Sequence, residues 1–102
     1  MYKLVALYPP PADPDAFRRY YEEHHVPLAD TLPGLAAHRY ALEPEALTGA
    51  SPYFCVAELE FADKAAFEAA VASDVGQRTA ADLANFASGG VQLIHYAPKI
   101  RV

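Results

Sequence analysis

The chain has 102 residues, a formal net charge of −5 and 53% apolar residues. That length holds one domain with one modest core, burying about two-thirds of the surface of the unfolded chain. Its eight Lys and Arg residues are scattered, so the sequence offers no basic footprint for a nucleic-acid backbone.

Tyr2 to Tyr8 alternates aromatic and aliphatic residues as a strand does, and Pro9-Pro10-Pro11 ends any pairing. No charged leader and apolar run precede it, so neither a signal peptide nor a membrane span is expected, and a cytosolic protein fits. Asp13-Pro14-Asp15 reads as a helix start, with Asp13 as cap and Pro14 at the first helical position. Phe17, Tyr20, Tyr21 and His24 recur at helical spacing and mark the expected buried face. Arg18, Arg19, Glu22 and Glu23 supply opposite charges on the other face. Pro27 lacks an N–H and its ring clashes with the carbonyl four residues back, so the helix is expected to end or kink there. A short turn resumes through Asp30-Thr31 until Pro33-Gly34 stops it.

Ala36 to Leu42 reads as a second strand and residues 44–52 as a loop. Tyr53 to Phe61 reads as a third strand, with Tyr53, Cys55, Ala57, Leu59 and Phe61 on one face and Phe54, Val56, Glu58 and Glu60 on the other. Cys55 is the single cysteine and reads as a small buried hydrophobe without an internal disulfide partner. Asp63 begins a helix that carries Phe67, Ala70 and Val71 inward. Ser73-Asp74 begins another, with Gln77 placed for a capping box and Val75, Thr79, Leu83 and Phe86 on its apolar side. Gly89-Gly90 breaks that helix, and Val91 to Tyr96 forms the last strand. The order β-α-β-β-α-β predicts an α+β, ferredoxin-like fold: a four-stranded antiparallel sheet with its helices on one face. The other face is left bare, and a homodimer is the expected way to cover it.

The densest chemistry lies in Tyr20-Tyr21-Glu22-Glu23-His24-His25-Val26-Pro27-Leu28. Titratable side chains at a helix break are easily aimed into a cavity. Together with Pro33-Gly34-Leu35, this stretch resembles the His-x-Pro-Leu…Pro-Gly-Leu element of EthD-like proteins, with His25 on that family's histidine. The Lys3–Tyr8 strand and the segment from Asp82 to Gly90 extend the resemblance over nearly the whole chain. The resemblance implies a dimeric α/β barrel in which two sheets meet face to face. Relatives of this kind include proteins linked to ether degradation and dehydratase-like or oxygenase-like barrels, so the fold does not choose a reaction.

His25 is the leading candidate for a general acid or base, because imidazole titrates near neutral pH. Glu22, three residues earlier, is placed to accept a hydrogen bond from it. The plain alternative is a structural histidine that ties the broken helix to the sheet. His24 continues the apolar stripe, which suits packing. Tyr8, Tyr21, Tyr40 and Tyr96 are candidates to line an aromatic-binding cavity, or else ordinary packing residues of strands and interfaces. Glu58 and Glu60 read either as carboxylates inside a dimer or as solvated charges at its mouth.

Glu22-x-x-His25 has the spacing of di-iron helices but lacks the second copy such sites require. His38 and His95 lie on strands without further ligands, so no metal is expected. A lone histidine is compatible with haem, yet nothing in the sequence favours that or another cofactor. Cys55, Ser51 and Ser73 have no nucleophile-activating context, and Gly89-Gly90 is no phosphate loop. Two readings follow. One is a small-molecule-binding protein or cofactor-independent enzyme acting on an apolar or aromatic compound. The other is a non-catalytic accessory protein with a filled barrel and a structural His25.

Overall fold

The alternation in the first and third strands builds the middle of the sheet. In the computed structural model, which describes residues 1–102, β1 (Tyr2–Tyr8) pairs antiparallel with β3 (Cys55–Phe61). β2 (Leu35–Leu42) and β4 (Gln92–Tyr96) flank them, giving the order β2-β3-β1-β4. The register sets Tyr2 opposite Phe61, Leu4 opposite Leu59, Ala6 opposite Ala57 and Tyr8 opposite Cys55. These eight side chains share the face that the helices cover, because successive residues of a strand point to opposite faces. The topology is ferredoxin-like.

The helical layer consists of α1 (Pro14–Tyr20), α2 (Val26–Ala29), α3 (Lys64–Ala72) and α4 (Asp74–Asp82). Asp13 caps α1 through Ala16 N–H, Asp63 caps α3 through Ala66 N–H, and Ser73 caps α4 through Gly76 N–H. Each such cap contributes about 1 kcal/mol. The aromatic core joins the layers: Phe17 stacks on Tyr21 at 5.4 Å, and Tyr8 packs edge-on against both.

Three local expectations need correction. The helix does not end at Pro27. It widens into a π-helical turn over Tyr21–His25, closed by Val26 N–H to the Tyr21 carbonyl, and α2 continues from Val26. The wider turn makes room for a ring that would strike the Glu23 carbonyl in a regular α-helix, and it needs no N–H from residue 27. The inward-facing histidine also differs from the expectation. His25 is buried, whereas His24, expected in the apolar stripe, is exposed and packs at 4.8 Å on Tyr20.

The third strand starts at Cys55, so Tyr53 lies outside it. Phe54 leaves the alternation and turns into the core, edge-on to Phe17 at 5.2 Å with the Arg18 guanidinium over its ring. In α4 the capping-box position three residues after Ser73 is Gly76, not Gln77. The Gln77 amide instead donates to the Ala72 carbonyl.

The opposite sheet face is uncovered within the chain. It carries Leu7, Val56, Ile94 and Tyr96 together with two ion pairs, Lys3–Glu58 at 2.7 Å and Arg39–Glu60 at 3.7 Å. Ile94 and Tyr96 remain 47% and 41% exposed, which is large for such residues in a strand. No helix is long and apolar enough to cross a membrane.

Candidate functional site

Small residues in mid-sheet leave space beneath the helices. Ala6 and Ala57 sit opposite one another on the two central strands, and above them and the neighbouring Leu4–Leu59 pair lies a cavity of about 370 Å³. This is near the lower end of the range of small-molecule sites, about 300–1,000 Å³. The α2 residue Ala29 and the α4 residues Gly76, Thr79 and Ala80 form part of its other walls. Gly76 is obligatory there: a Cβ would lie 2.2 Å from the Ala70 carbonyl oxygen.

His25 projects from the end of the π-helical turn into this cavity and is only 6% exposed. Its Nδ1 lies 2.9 Å from Oδ2 of Asp82, the last residue of α4. Oδ1 of Asp82 accepts from the Tyr20 hydroxyl at 2.5 Å and from the Asn85 amide at 3.0 Å. Burial pushes the carboxyl of Asp82 up, but the hydrogen bonds from Tyr20, Asn85 and His25 outweigh it and hold the group below its ordinary value. Burial also pushes the His25 imidazole below its ordinary value, and Asp82 offsets only part of this. At neutral pH the pair is therefore a carboxylate and a neutral ring that donates its Nδ1–H to Asp82. No fully buried side-chain nitrogen or oxygen lacks a partner, so Nε2, which makes no hydrogen bond within the chain, retains accessible surface on a ring that lines the cavity. An oriented, neutral imidazole with a free lone pair is a proton acceptor.

Two more histidines line the same space, each held by Nδ1. His38 on β2 is 2.7 Å from Oδ1 of Asp30, and His95 on β4 is 2.7 Å from the Tyr2 hydroxyl. The other expected site residues divide. Tyr8 and Tyr21 line the cavity with their hydroxyls pushed well above the usual phenol range by burial. Tyr40 stands on the cavity side of the sheet, but its hydroxyl donates to Glu22 at 2.7 Å. Tyr96 points to the bare face, away from the cavity. Glu22 is not the partner expected for His25: it lies on the exposed side of the π-helical turn, and Asp82 takes that role.

Asp82 was not singled out by sequence reasoning, although one signal was present. It lies seven residues after Val75, on the same helical stripe as Thr79, Leu83 and Phe86, where a carboxylate is out of place. Cys55 is fully buried and burial raises its thiol to about 11, so it is no nucleophile. No three His, Cys, Asp or Glu side chains group as metal ligands.

Comparison with known proteins agrees with this architecture. An uncharacterised 11.0 kDa protein from the thcB–thcC intergenic region of Rhodococcus erythropolis is 43% identical over 96 residues, 92% of this chain and 91% of that protein. The crystal structure of an EthD family protein from Bacillus halodurans superposes with a TM-score of 0.91 at 28% identity, over 97% of this chain and 99% of that one. SnoaB, a cofactor-independent oxygenase from Streptomyces nogalater, shares the fold with a TM-score of 0.72 at 16% identity, over 99% of this chain and 95% of that one. The EthD domain matches residues 9–90, which include the π-helical turn, the cavity helices and Asp82. The chain belongs to the EthD domain family.

Proposed function

We propose that this protein binds an apolar, ring-containing molecule in the cavity above its sheet, and that His25 acts there as a general base oriented by Asp82. One observation carries the reading. A buried, neutral imidazole is tied to a carboxylate through Nδ1 and leaves Nε2 without a hydrogen-bond partner beside a largely apolar cavity. A histidine serving only to pin the helix needs no such cavity beside it, which weighs against the purely structural alternative. The base would remove a proton from a phenol, an enol or an activated C–H group, and the ionised Asp82 would stabilise the imidazolium that forms. The likeness to SnoaB supports a chemistry begun by side chains alone, since that protein is a cofactor-independent oxygenase on the same fold.

The same reading includes a homodimer. Leu7, Val56, Ile94 and Tyr96 form an apolar band on the uncovered sheet face, and stacking two such faces would bury it. The cavity lies on the opposite side of each sheet, so each subunit would keep its own site.

Titration with 2-naphthol, followed through the imidazole ¹⁵N signals, tests the site. Binding is expected to shift the His25 signals, and His25→Ala is expected to lower the affinity. Binding that leaves His25 untouched, or no binding up to the solubility limit, would overturn the reading.

A further inference from the structure

The cavity histidines are held by two different kinds of partner, and the difference gives the cavity a polarity. Asp82 and Asp30 are carboxylates, which while ionised accept hydrogen bonds and donate none. His25 therefore keeps its proton on Nδ1 and presents a bare Nε2 as an acceptor. His95 is held by a phenol instead. The Tyr2 hydroxyl lies 2.7 Å from Nδ1 and has no other hydrogen-bond partner in the chain. A phenol is a better donor than acceptor, so this pair favours the Tyr2 proton directed at Nδ1 and the ring proton of His95 on Nε2. Phe67 stacks on the same ring at 4.8 Å and fixes its plane.

The sheet separates these two ends. His38, Leu59, Leu4 and His95 form one row across all four strands on the cavity side. Adjacent strands lie about 4.8 Å apart, so the backbones of His38 and His95 stand about 14 Å apart. His25 belongs to the His38 end: its ring stacks on Tyr21 at 5.6 Å, Tyr21 packs on Tyr40 of β2 at 5.3 Å, and Tyr40 lies 6.1 Å from His38. Between the ends the floor is Leu4, Ala6, Ala57 and Leu59, without a polar atom in any side chain.

We infer that the cavity takes an elongated, flat, largely apolar molecule with a hydroxyl at one end and a carbonyl oxygen at the other. The hydroxyl donates to Nε2 of His25, and the carbonyl accepts from Nε2–H of His95. The inference rests on the reading of His25 as a proton acceptor and extends it with an orientation, a ligand class and a second recognition residue. The hydroxyl proton is the one His25 would remove, and the developing negative charge would spread through a conjugated ligand to the carbonyl held by His95.

The test has a part without ligand and a part with one. Long-range ¹H–¹⁵N correlation on the free protein reads the tautomer of each histidine. His25 is expected to carry Nδ1–H and His95 to carry Nε2–H, and a neutral His95 protonated on Nδ1 would overturn the inference. The binding probes are 6-acetyl-2-naphthol, 2-acetylnaphthalene without the hydroxyl, and 2-naphthol without the carbonyl. Removal of either oxygen is expected to weaken binding roughly fivefold, the worth of one hydrogen bond. His95→Phe, on an exposed outer strand, is expected to abolish the preference for the carbonyl and keep that for the hydroxyl. His25→Ala is expected to do the reverse. A carbonyl preference indifferent to His95→Phe overturns this inference and leaves the base reading standing. A hydroxyl preference indifferent to His25→Ala overturns both, and failure of all three probes to bind rules out the ligand class.

Discussion

Nδ1 of His25 and Oδ2 of Asp82 lie 2.9 Å apart although 57 positions separate them in the chain. The π-helical turn delivers one and the end of α4 delivers the other, so the pair joins the two helical segments over the sheet. Asp82 also ties down Tyr20 and Asn85, which makes it the hub of a four-residue network.

Replacing Asp82 by Asn tests that hub. An amide retains one acceptor and turns its other group into a donor, so it can serve Tyr20, Asn85 and His25 together only if His25 gives up its Nδ1 proton. Asp82→Asn is expected to cost about 1–3 kcal/mol of stability in urea unfolding. It is also expected to move the ring proton of His25 from Nδ1 to Nε2, visible in ¹⁵N spectra. An unchanged tautomer would show that Asp82 does not orient the ring.

Acid should loosen the fold through the same pair. Burial holds the folded His25 below its ordinary value of 6.5, so between those two values the unfolded chain binds more protons. Stability therefore declines as pH falls from about 6.5, and none of this contribution is lost above that value. Asp82, also lowered when folded, adds stability that is present above its ordinary 3.8 and disappears as pH falls through the folded value. Urea midpoints of wild type and His25→Gln, compared at pH 7.5 and 5.5, provide the check. The wild type is expected to lose more on acidification, and equal losses would place the proton uptake elsewhere.

Gly76 offers a test of the cavity wall. Its Cα faces the carbonyls of Ala70 and Val71, and an added Cβ would come within 2.2 and 2.5 Å of their oxygens. Both neighbours are backbone, so neither can swing aside. Gly76→Ala is expected to destabilise the protein by about 1–3 kcal/mol, the range for forced overpacking. Ligand affinity should fall as well, because α4 carries both a cavity wall and Asp82. A variant as stable as wild type would mean that the α3–α4 corner yields easily.

Charge placed on the bare sheet face should separate the proposed subunits. Ile94→Asp puts a carboxylate on the outer strand of this apolar face, opposite Val5, without touching the cavity side of the sheet. Sedimentation analysis is expected to show a dimer for wild type and a monomer for the variant. A variant that still sediments as a dimer would place the interface elsewhere.

Much of this architecture is local and therefore legible in the chain. Period-two alternation in Tyr2–Tyr8 and Cys55–Phe61, the caps Asp13, Asp63 and Ser73, and the Gly89-Gly90 break each act within a few residues. Together they predicted the element order, the ferredoxin-like topology and the bare sheet face. His25 was legible as a residue of interest because it stands beside Pro27.

The tertiary structure decided the rest, since it depends on contacts between distant segments. Whether Pro27 ends the helix or widens it turns on what the inner face must pack against, and Phe17, Tyr21 and His25 meet Tyr8 and Phe86. The choice of His25 over His24 follows from its contacts with Tyr21, Phe86 and Asp82. Glu22 stands nearer to His25 in sequence, but the helical surface turns it toward Tyr40 and solvent while folding brings in Asp82 from α4. Sequence spacing predicts neighbours along one helix. It does not predict which side chain arrives from the next one.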